Sequence, residues 1–288
     1  MYFKITNQKE CHNGYQYQDG LNILDKPFEK DGSCAVGGLY FTTLEHLNKF
    51  YDYGVWLREI RIPEDAEMVE DPGGNKWRAD KIILGERYPL FDLGTIQKFN
   101  LKINRYFIRM ASWYGCLDIL EWWLKTFDPQ LTGTSLAVDA ASRNGQVDVL
   151  EWWLRAMDRS GLKFKFSADA IDGASENGHL EVLEWWLKSA NASGVKLKYT
   201  SRSIDEASKK GHVEILKWWW RAHVEFGLEL KSFEDVPWMA SKYGHLKILE
   251  WWKNSGLKLR DASLAIHWAS WCGHKDVLEW WLGQGKLD

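Results

Sequence analysis

The stretch Gly178-His179-Leu180-Glu181-Val182-Leu183-Glu184-Trp185-Trp186-Leu187-Lys188 decides the fold, because lightly edited copies of it occur six times along the chain. Each copy is preceded, two residues earlier, by an Ala-Ser pair, and successive pairs lie 30, 33, 33, 33 and 29 residues apart. The six pairs begin at Ala111, Ala141, Ala174, Ala207, Ala240 and Ala269. A spacing kept through six copies is typical of proteins built from stacked repeats.

Each repeat is predicted to form two helices. In the third repeat, Ser167 is a suitable cap for the first helix, and Gly178 ends it where a left-handed residue is needed. Thr134 and Thr200 hold the matching cap position in the neighbouring repeats. The second helix should run from about His179 to Ala190, since apolar residues recur there at helical spacing.

The Ala-Ser and Trp-Trp pairs have side chains of very different size. Small residues let neighbouring helices pack at about 8–10 Å, whereas an aromatic side chain buries roughly 150–250 Å². We expect the second Trp of each pair in the core, and the first at the flank of the core or wedged against the next repeat. The pairs begin at Trp122, Trp152, Trp185, Trp218, Trp251 and Trp280.

The composition is that of a folded protein, with 45% hydrophobic and 27% charged residues. A net charge of −3 argues against general nucleic-acid binding. The four cysteines lack the paired spacing of a disulfide framework or a zinc site and indicate free thiols in a reducing compartment. No signal peptide is evident, and no stretch approaches the roughly 20 apolar residues that span a bilayer. We therefore expect a soluble intracellular protein without membrane contact.

Residues 1–92 contain no copy of the repeat. Short runs rich in β-branched and aromatic residues predict strands in this region. The segment Thr43–Tyr53 has the apolar spacing of a helix, followed by Gly54 as its stop. These elements predict a small α+β domain. The predicted strands are Tyr2–Thr6, Leu39–Thr42, Val55–Ile62 and Trp77–Leu84.

The candidates for chemistry in this N-terminal domain are a few polar and aromatic residues. Its order of strand, helix and strand is weakly similar to domains that bind nicotinamide dinucleotide to transfer ADP-ribose. Such domains place a His, a Tyr and a carboxylate around the cofactor, and this trio is not assigned to particular residues here. The interpretation that we favour is that the tyrosines pack and the charges are solvated. The candidates are His12, Tyr15, Tyr17, Tyr40, Arg58 and Glu59.

The repeat resembles the ankyrin repeat. The stretch from Gly178 to Lys188 resembles its Gly-His-x-Glu-Val-Val-x-x-Leu-Leu segment, and Ala174-Ser175 matches the preceding Ala-Ala. The Thr-Pro-Leu-His tetrapeptide of that family is not kept, and Thr134, Ser167 and Thr200 suggest a different cap. The position of its His reads Asp139, Asp172, Asp205, Trp238 and His267.

The Trp-Trp pairs, together with segments such as Tyr15–Leu24 and Gly37–Thr42, are similar to ankyrin proteins encoded in many copies by mimivirus-like giant viruses. That resemblance covers essentially the whole chain. It implies binding to another protein rather than catalysis, with no catalytic residue, no cofactor and no metal site. If the protein is viral, its expected location is the host cytoplasm.

Two further patterns each allow two interpretations. His179, His212, His245 and His274 recur once per repeat, and we favour hydrogen bonds to loop backbone over a chain of metal sites, because the copies are too far apart to share a zinc ion. Basic residues in the connectors form either a stripe for an acidic partner or a solvated edge, and the slightly acidic chain favours the edge. The basic residues are Lys163, Lys165, Lys196, Lys198, Lys231, Lys258 and Arg260.

The two residues before each repeat glycine vary between copies, as a surface that selects a partner requires, although a neutral surface would also vary. By the ankyrin resemblance, this position lines the concave face that meets the partner. Exposed aromatic residues dominate interface energies, so Trp113, Tyr114, Tyr243 and Trp271 are the candidate hot spots. The predicted partner-binding residues are Trp113, Tyr114, Arg143, Asn144, Glu176, Asn177, Lys209, Lys210, Lys242, Tyr243, Trp271 and Cys272.

The predicted architecture is mostly α: an ankyrin-like solenoid at 93–288 follows the small α+β domain at 1–92. The predicted function is non-catalytic recruitment of a protein partner by the repeat surface, with a host protein as one option for that partner. One alternative is an ADP-ribosyltransferase-like activity in the N-terminal domain, with the repeats recruiting its substrate. Another is a structural viral component. The six repeats are placed at about 102–128, 133–160, 166–193, 199–226, 232–256 and 261–285.

Overall fold

A computed structural model shows two compact units along the chain. The first comprises Met1–Ala111 and Cys116–Gln130, and the second comprises Ser112–Gly115 and Leu131–Asp288. Because this division places the helices of the first repeat mainly with the N-terminal sheet, the boundary at residue 92 stays a prediction. The described residues are 1–34, 37–126, 134–159, 164–259 and 262–284.

The first unit is built on an antiparallel sheet. Its strands are β1 (Tyr2–Thr6), β2 (Cys11–His12), β3 (Tyr15–Gln16), β4 (Gly20–Ile23), β5 (Leu39–Thr43), β6 (Trp56–Arg61), β7 (Met68–Glu70), β8 (Trp77–Ala79) and β9 (Lys81–Pro89). The main sheet has the order β4-β9-β6-β1-β5-β8-β7, and β2 pairs with β3 as a separate hairpin. The single strand predicted over Trp77–Leu84 is divided at Asp80, whose backbone and carboxylate both bond Glu67.

Strand β1 is paired unequally with its two neighbours. It pairs with β6 along its whole length, but with β5 only where Tyr2 faces Thr43 and Phe3 faces Thr42. Beyond Phe3 the ladder between β1 and β5 stops, and the ammonium of Lys4 donates to the Tyr40 carbonyl at 2.7 Å. The two strands therefore diverge within one sheet.

The helix predicted over Thr43–Tyr53 is wrong. This segment forms two short 3₁₀ helices, Leu47–Lys49 and Tyr51–Tyr53, with backbone bonds between residues three apart. Leu47 and Tyr51 are buried, and the Tyr51 hydroxyl donates to the Lys102 carbonyl at 3.1 Å. Packing of these two side chains thus selects tight turns over a regular helix.

Three α-helices follow the sheet: α1 (Leu93–Phe99), α2 (Arg105–Trp113) and α3 (Leu117–Thr126). Asp92 caps α1 by accepting from the Thr95 N–H at 2.8 Å. The ring of Tyr51 lies edge-on to Phe107 of α2, with centroids 5.0 Å apart. This contact explains why the start of the first repeat groups with the sheet.

The second unit repeats a pair of helices, as predicted. The helices are α4 (Thr134–Arg143), α5 (Val147–Arg159), α6 (Asp169–Glu176), α7 (Leu180–Ser193), α8 (Arg202–Lys210), α9 (Val213–Phe226), α10 (Val236–Tyr243), α11 (Leu246–Asn254), α12 (Ala262–Trp271) and α13 (Lys275–Leu282). The even-numbered first helices pack side by side, and the odd-numbered second helices form the other layer. The predicted fold class, a mostly α repeat array after a small sheet, is confirmed.

The second Trp of each pair is buried, as predicted, and in four of the repeats its indole N–H joins it to the neighbouring repeat. The acceptor is the hydroxyl of the Ala-Ser pair one repeat earlier, and both partners are almost fully buried. We refer to this contact as the indole–serine bond. The pairs are Trp153 with Ser112 at 3.1 Å, Trp186 with Ser142 at 3.0 Å, Trp219 with Ser175 at 3.2 Å and Trp281 with Ser241 at 2.8 Å.

The first Trp of each pair varies more in its surroundings. Trp122, Trp152, Trp251 and Trp280 are half-buried, as expected for the flank of the core. Trp185 and Trp218, in the two central repeats, are 8% and 3% exposed. The central repeats therefore bury both rings, and in each of them the two rings lie edge-on to one another.

A second contact between repeats involves the glycine and the histidine. Gly178 has a φ of +76°, and a Cβ built there would lie 3.0 Å from the ring of His212 in the next repeat. The His212 Nε2 lies 3.1 Å from the Glu176 carbonyl oxygen. His245 and His274 meet the carbonyls of Lys209 and Lys242 in the same way, at 2.7 and 2.9 Å. The predicted bond to backbone is confirmed for these histidines, but its acceptor belongs to the preceding repeat.

A third contact explains the aspartates that stand at the position of the ankyrin His. The Asp139 carboxylate accepts from both the N–H and the hydroxyl of Ser167, at 2.9 and 2.7 Å. Asp172 binds Thr200 in the same way, at 2.9 and 2.6 Å. Ser167 and Thr200 in turn accept from the N–H two residues later, at the start of the first helix. Each cap is thus tied to the previous repeat.

The junction between the fourth and fifth repeats departs from this pattern. Trp252 donates its indole N–H to the Lys258 carbonyl at 3.1 Å, and Ser208 donates to the Ile204 carbonyl within its own helix at 2.7 Å. The fifth repeat enters α10 through a 3₁₀ turn, Phe233–Asp235, and Trp238 bonds Asp235 at 2.9 Å. The indole–serine bond is therefore replaced at this junction by bonds within each repeat.

The indole–serine bond can be tested by a matched pair of substitutions. Ser142→Ala removes the acceptor of the buried Trp186 indole, and should lower the free energy of unfolding by about 1–3 kcal/mol, because a buried donor is left unpaired. Ser208→Ala, at the same repeat position, leaves no indole unpaired and should lower it by a smaller amount, about 0.5–1 kcal/mol, because it removes only the hydroxyl bond to the Ile204 carbonyl. Urea denaturation followed by circular dichroism measures both. Equal losses would show that the indole bond contributes nothing.

A second pair of substitutions separates backbone strain from crowding. Gly194→Ala, at φ +69° with open space around its Cβ, should cost about 1 kcal/mol of unfolding free energy. Gly178→Ala has the same backbone strain and also presses on the His212 ring, so it should cost at least about 1 kcal/mol more. Thermal unfolding of the two variants would give equal midpoints if His212 moved aside without cost.

Candidate partner-binding surface

The predicted partner-binding residues lie at the carboxyl ends of the first helices. We term these residues the pre-glycine row; it consists of Trp113, Tyr114, Arg143, Asn144, Glu176, Asn177, Lys209, Lys210, Lys242, Tyr243, Trp271 and Cys272. Glu176 contacts both Arg143 and Lys210 across successive repeats, which aligns the middle of the row. Their role in partner binding stays a prediction, but the structure shows what each side chain already contacts.

The two asparagines of the row face the neighbouring repeat. The Asn144 amide donates to the Trp113 carbonyl, and the Asn177 amide donates to the Arg143 carbonyl, both at 2.8 Å. The carbonyls that they bond stand at the same repeat position as those contacted by His212, His245 and His274 in later repeats. A partner that bound Asn144 or Asn177 would have to compete with these bonds between repeats.

Glu176 lies at the centre of a cationic cluster in the row. Its carboxylate accepts from Arg143, from Arg202 at 2.9 Å and from Lys210 at 3.1 Å. Burial alone would raise the pKa of Glu176, but the hydrogen bonds from Lys210 and Arg202 and the charge of Arg143 outweigh it and lower the pKa to about 2. Arg202 also pairs with Asp169 at 3.1 Å. The charges in the middle of the row are therefore largely matched within the protein.

The remaining lysines of the row also have partners. Lys209 pairs with Glu206 of its own helix at 2.7 Å. The ammonium of Lys242 lies 4.1 Å from the centroid of the Trp268 ring and 5.7 Å from that of Tyr243. Lys242 therefore belongs with an aromatic group at the carboxyl-terminal end of the row.

That aromatic group is the most exposed part of the row. Trp271 is 76% exposed and Tyr243 is 40% exposed. The Trp271 ring stacks on His267, with centroids 6.3 Å apart and planes 25° apart, and Cys272 beside it is exposed. At the other end of the row, Tyr114 is 39% exposed and Trp113 is half-buried. Large exposed rings that are already oriented are the side chains that dominate protein interfaces.

Two of the connector lysines contact the preceding connector. The ammonium of Lys198 donates to the Phe166 carbonyl at 3.0 Å and lies over the Phe166 ring, and Lys231 makes the same pair of contacts with Tyr199. These two lysines fasten one connector to the previous one. Lys165, Lys196 and Lys258 are exposed, while Lys163 and Arg260 fall outside the described residues.

The structure gathers several of the N-terminal candidates around one cavity. The cavity has a volume of about 560 Å³ and is lined by His12, Tyr15, Tyr17 and Tyr40. Arg58 and Glu59 are not among its lining residues. Arg58 is buried against Asp19 and Glu10, and Glu59 accepts from the Tyr88 hydroxyl at 3.3 Å. The sequence interpretation missed Lys4, whose signal was a charged residue between Phe3 and Ile5 in an otherwise apolar strand.

The described part of the chain contains neither a metal-binding cluster nor a membrane-spanning helix. Among those residues, no group of three or more His, Cys, Asp or Glu side chains is arranged to hold a metal ion. None of the helices that the structure describes has the length and apolar character needed to cross a bilayer. Three of the recurring histidines, His212, His245 and His274, instead bond the backbone of the preceding repeat.

Comparison with known proteins decides the family. No protein-family model matches the sequence. Ankyrin repeat protein R868 of Acanthamoeba polyphaga mimivirus is 42% identical over 130 residues, which cover 42% of this chain and 65% of R868. The uncharacterized protein R869 of the same virus is 43% identical over 100 residues, or 33% of this chain and 72% of R869. The chain belongs to this family of mimivirus ankyrin-repeat proteins.

Other relatives share shorter parts of their length with the chain. The mimivirus ankyrin repeat protein R229 is 40% identical over 111 residues, which cover 34% of this chain and only 36% of R229. The chain thus spans about two thirds of R868 and about a third of R229. Among solved structures, the human ASB11 ankyrin repeat domain has 16% identity and a TM-score of 0.47. The alignment covers 62% of this chain and 83% of the ASB11 chain. The family assignment rests on the viral relatives.

Within the ankyrin family, the departures of this chain have a structural reason. Asp139 and Asp172 replace the ankyrin His and hold Ser167 and Thr200 of the next repeat, so the first-helix cap becomes a contact between repeats. The resemblance inferred from the Gly-His and Ala-Ser positions is confirmed. At these positions the side chains differ from those of the ankyrin repeat, but successive repeats still stack on one another.

The charge cluster around Glu176 can be tested by its pH dependence. Glu176→Gln should lower the free energy of unfolding at pH 7 by about 1–2 kcal/mol, after allowance for solvent screening, since a carboxylate with a depressed pKa stabilises the folded state while it is ionised. In the unchanged chain this contribution is complete above about pH 4.5 and disappears as the pH falls toward 2. The difference between the two proteins should therefore shrink over that range in urea titrations.

Glu184→Gln is the matched control for this experiment. Among the described residues Glu184 has one ion-pair partner, Arg221, and both side chains are nearly half exposed. Its replacement should change stability little at any pH, since exposed ion pairs contribute little. A loss equal to that of Glu176→Gln would argue that the cluster adds nothing beyond one exposed pair.

Proposed function

We propose that this ankyrin-repeat chain is a non-catalytic protein-binding module that recruits its partner through the carboxyl-terminal part of the pre-glycine row. The exposed aromatic group at Tyr243 and Trp271 carries the proposal. The charges in the middle of the row are matched internally, so they offer a partner less than these rings do. Family membership supports the class of function, because ankyrin repeats bind other proteins.

The arrangement around Trp271 supports a contact of defined geometry. His267 stacks on the Trp271 ring. Lys242 lies over Trp268, which is one turn before Trp271 on α12. A partner with an apolar side chain for Trp271 and an acceptor near Lys242 would match both features. Aromatic anchors beside a cation form a typical interface centre. The viral relatives suggest that the partner is a host protein in the host cytoplasm.

The alternative of ADP-ribosyl transfer receives no support from the cavity of the first unit. Such a site needs a carboxylate beside the cofactor, and none of the described residues that line the cavity is Asp or Glu. Glu59, the carboxylate considered from the sequence, is bonded to Tyr88 instead.

Replacement of both rings tests the proposal directly. Tyr243→Ala with Trp271→Ala should reduce capture of the partner from an amoebal lysate by about tenfold or more, because interface hot spots each contribute about 2 kcal/mol or more. Quantitative mass spectrometry of proteins that bind the immobilised chain measures the loss. Far-UV circular dichroism should stay unchanged, since both side chains are exposed.

The matched control removes apolar surface from the other helical layer. Val224→Ala with Phe226→Ala replaces two side chains of α9 that are 64% and 48% exposed. These changes should leave capture intact. If the control variant lost the partner and the Tyr243–Trp271 variant kept it, the binding surface would lie on the second helices.

A further inference from the structure

The cavity of the first unit occupies the gap where β1 and β5 diverge. Its lining includes consecutive residues of both strands, Phe3 to Ile5 from β1 and Leu39 to Thr42 from β5. The strands are paired only at Tyr2 and Phe3 of β1, so the backbone beyond that point borders the cavity. A gap of this kind in an otherwise continuous sheet leaves a concave site of about 560 Å³, within the usual range for small-molecule pockets.

Three lysines line this cavity. Lys4 is 6% exposed, and its ammonium has the Tyr40 carbonyl as its hydrogen-bond acceptor. Lys26 and Lys76 are the other two, and Asp71, 3.9 Å from Lys76, is shared with the buried Arg78. Among the described residues that line the cavity there is no carboxylate to balance them. The cavity therefore has an excess of positive charge.

Burial of the Lys4 ammonium in this cavity is unfavourable to the stability of the folded state. Burial lowers the pKa of Lys4 to about 7, because the charged form is poorly solvated. Its nearest neighbours are the Tyr40 carbonyl and the Tyr17 ring, whose centroid lies 4.5 Å from the ammonium. A buried ammonium without a carboxylate is unfavourable unless another negative charge reaches it. An anion inside the cavity would supply that charge.

Aromatic rings form much of the remaining wall. Tyr15 and Tyr17 lie edge-on, 4.8 Å apart, and His12 lies edge-on to Tyr17 and Tyr53 at 6.3 and 6.1 Å. Tyr40 completes the lining on β5, with the ammonium of Lys76 4.8 Å from its centroid. Connected rings of this kind favour a planar aromatic group through stacking and edge-to-face contacts.

We propose that this cavity binds a mononucleotide-sized anion, with its planar ring against the tyrosines and its phosphate beside the lysines. The excess of lysines selects the negative charge, and the ring cluster selects the planar group. The volume admits both parts at once, whereas a free phosphate would leave the aromatic wall unused. This site is independent of the partner-binding row in the repeats.

Calorimetric titration of the full chain tests the proposal with ligands that carry one or both chemical parts. AMP should bind about tenfold or more tightly than adenosine, which lacks the charge, and than inorganic phosphate, which lacks the ring. Phenyl phosphate, the size of a phosphorylated tyrosine side chain, should bind more weakly than AMP. Equal affinity of AMP and inorganic phosphate, equal affinity of AMP and adenosine, tighter binding of phenyl phosphate, or no AMP binding at millimolar concentration would each overturn the proposal.

Substitutions then locate the site. Lys4→Met and Lys76→Met should each weaken AMP binding by about fivefold or more, since each removes one charge near the phosphate. Lys30→Met is the matched control, because Lys30 pairs with Glu67 and does not line the cavity. Circular dichroism checks the fold of each variant. The Lys76 side chain is 22% exposed, so its replacement keeps the test valid even if the Lys4 variant does not fold. Unchanged AMP affinity in the folded lysine variants would place the site elsewhere.

Discussion

The hydrogen bond between a buried indole and the serine of the preceding repeat is the interaction on which the repeat array depends. A tryptophan contributes a large apolar area, but its N–H must find an acceptor once it is buried. The serine hydroxyl of the Ala-Ser pair supplies that acceptor and is small enough to let the helices approach. Trp186 and Ser142 thereby fix both the distance and the alignment of two repeats.

The same alignment determines which positions are free to recognise a partner. Glycine and histidine contacts, and the Asp139 and Asp172 caps, occupy most polar groups at the junctions between repeats. The pre-glycine row lies beside those contacts. In its middle, Glu176 and the two asparagines themselves bond residues of neighbouring repeats. Toward the carboxyl-terminal end the row presents two large exposed rings, Tyr243 and Trp271, of which Trp271 is 76% exposed.

The first unit shows how local pattern and tertiary packing can disagree. Its sequence predicts several of the strands, because alternating β-branched and aromatic residues have a recognisable period. It does not predict that Thr43–Tyr53 forms 3₁₀ turns, since Leu47 and Tyr51 are placed by the packing of the sheet and of Phe107. Nor does it predict the gap between β1 and β5, because the length over which two strands remain paired depends on what packs around them.

The sequence by itself determined the repeat, its two helices, its glycine stops and the burial of the second tryptophan, because these follow from spacing along a single chain. Only the tertiary structure decided which partner each buried polar group has, since Ser142 and Trp186, or Asp139 and Ser167, are neighbours in space and distant in sequence. It also decided that Asn144 and Asn177 bond the previous repeat, and that Lys4 lies in a cavity with four tyrosines. The physical reason is that hydrogen-bond satisfaction and burial are properties of the assembled chain.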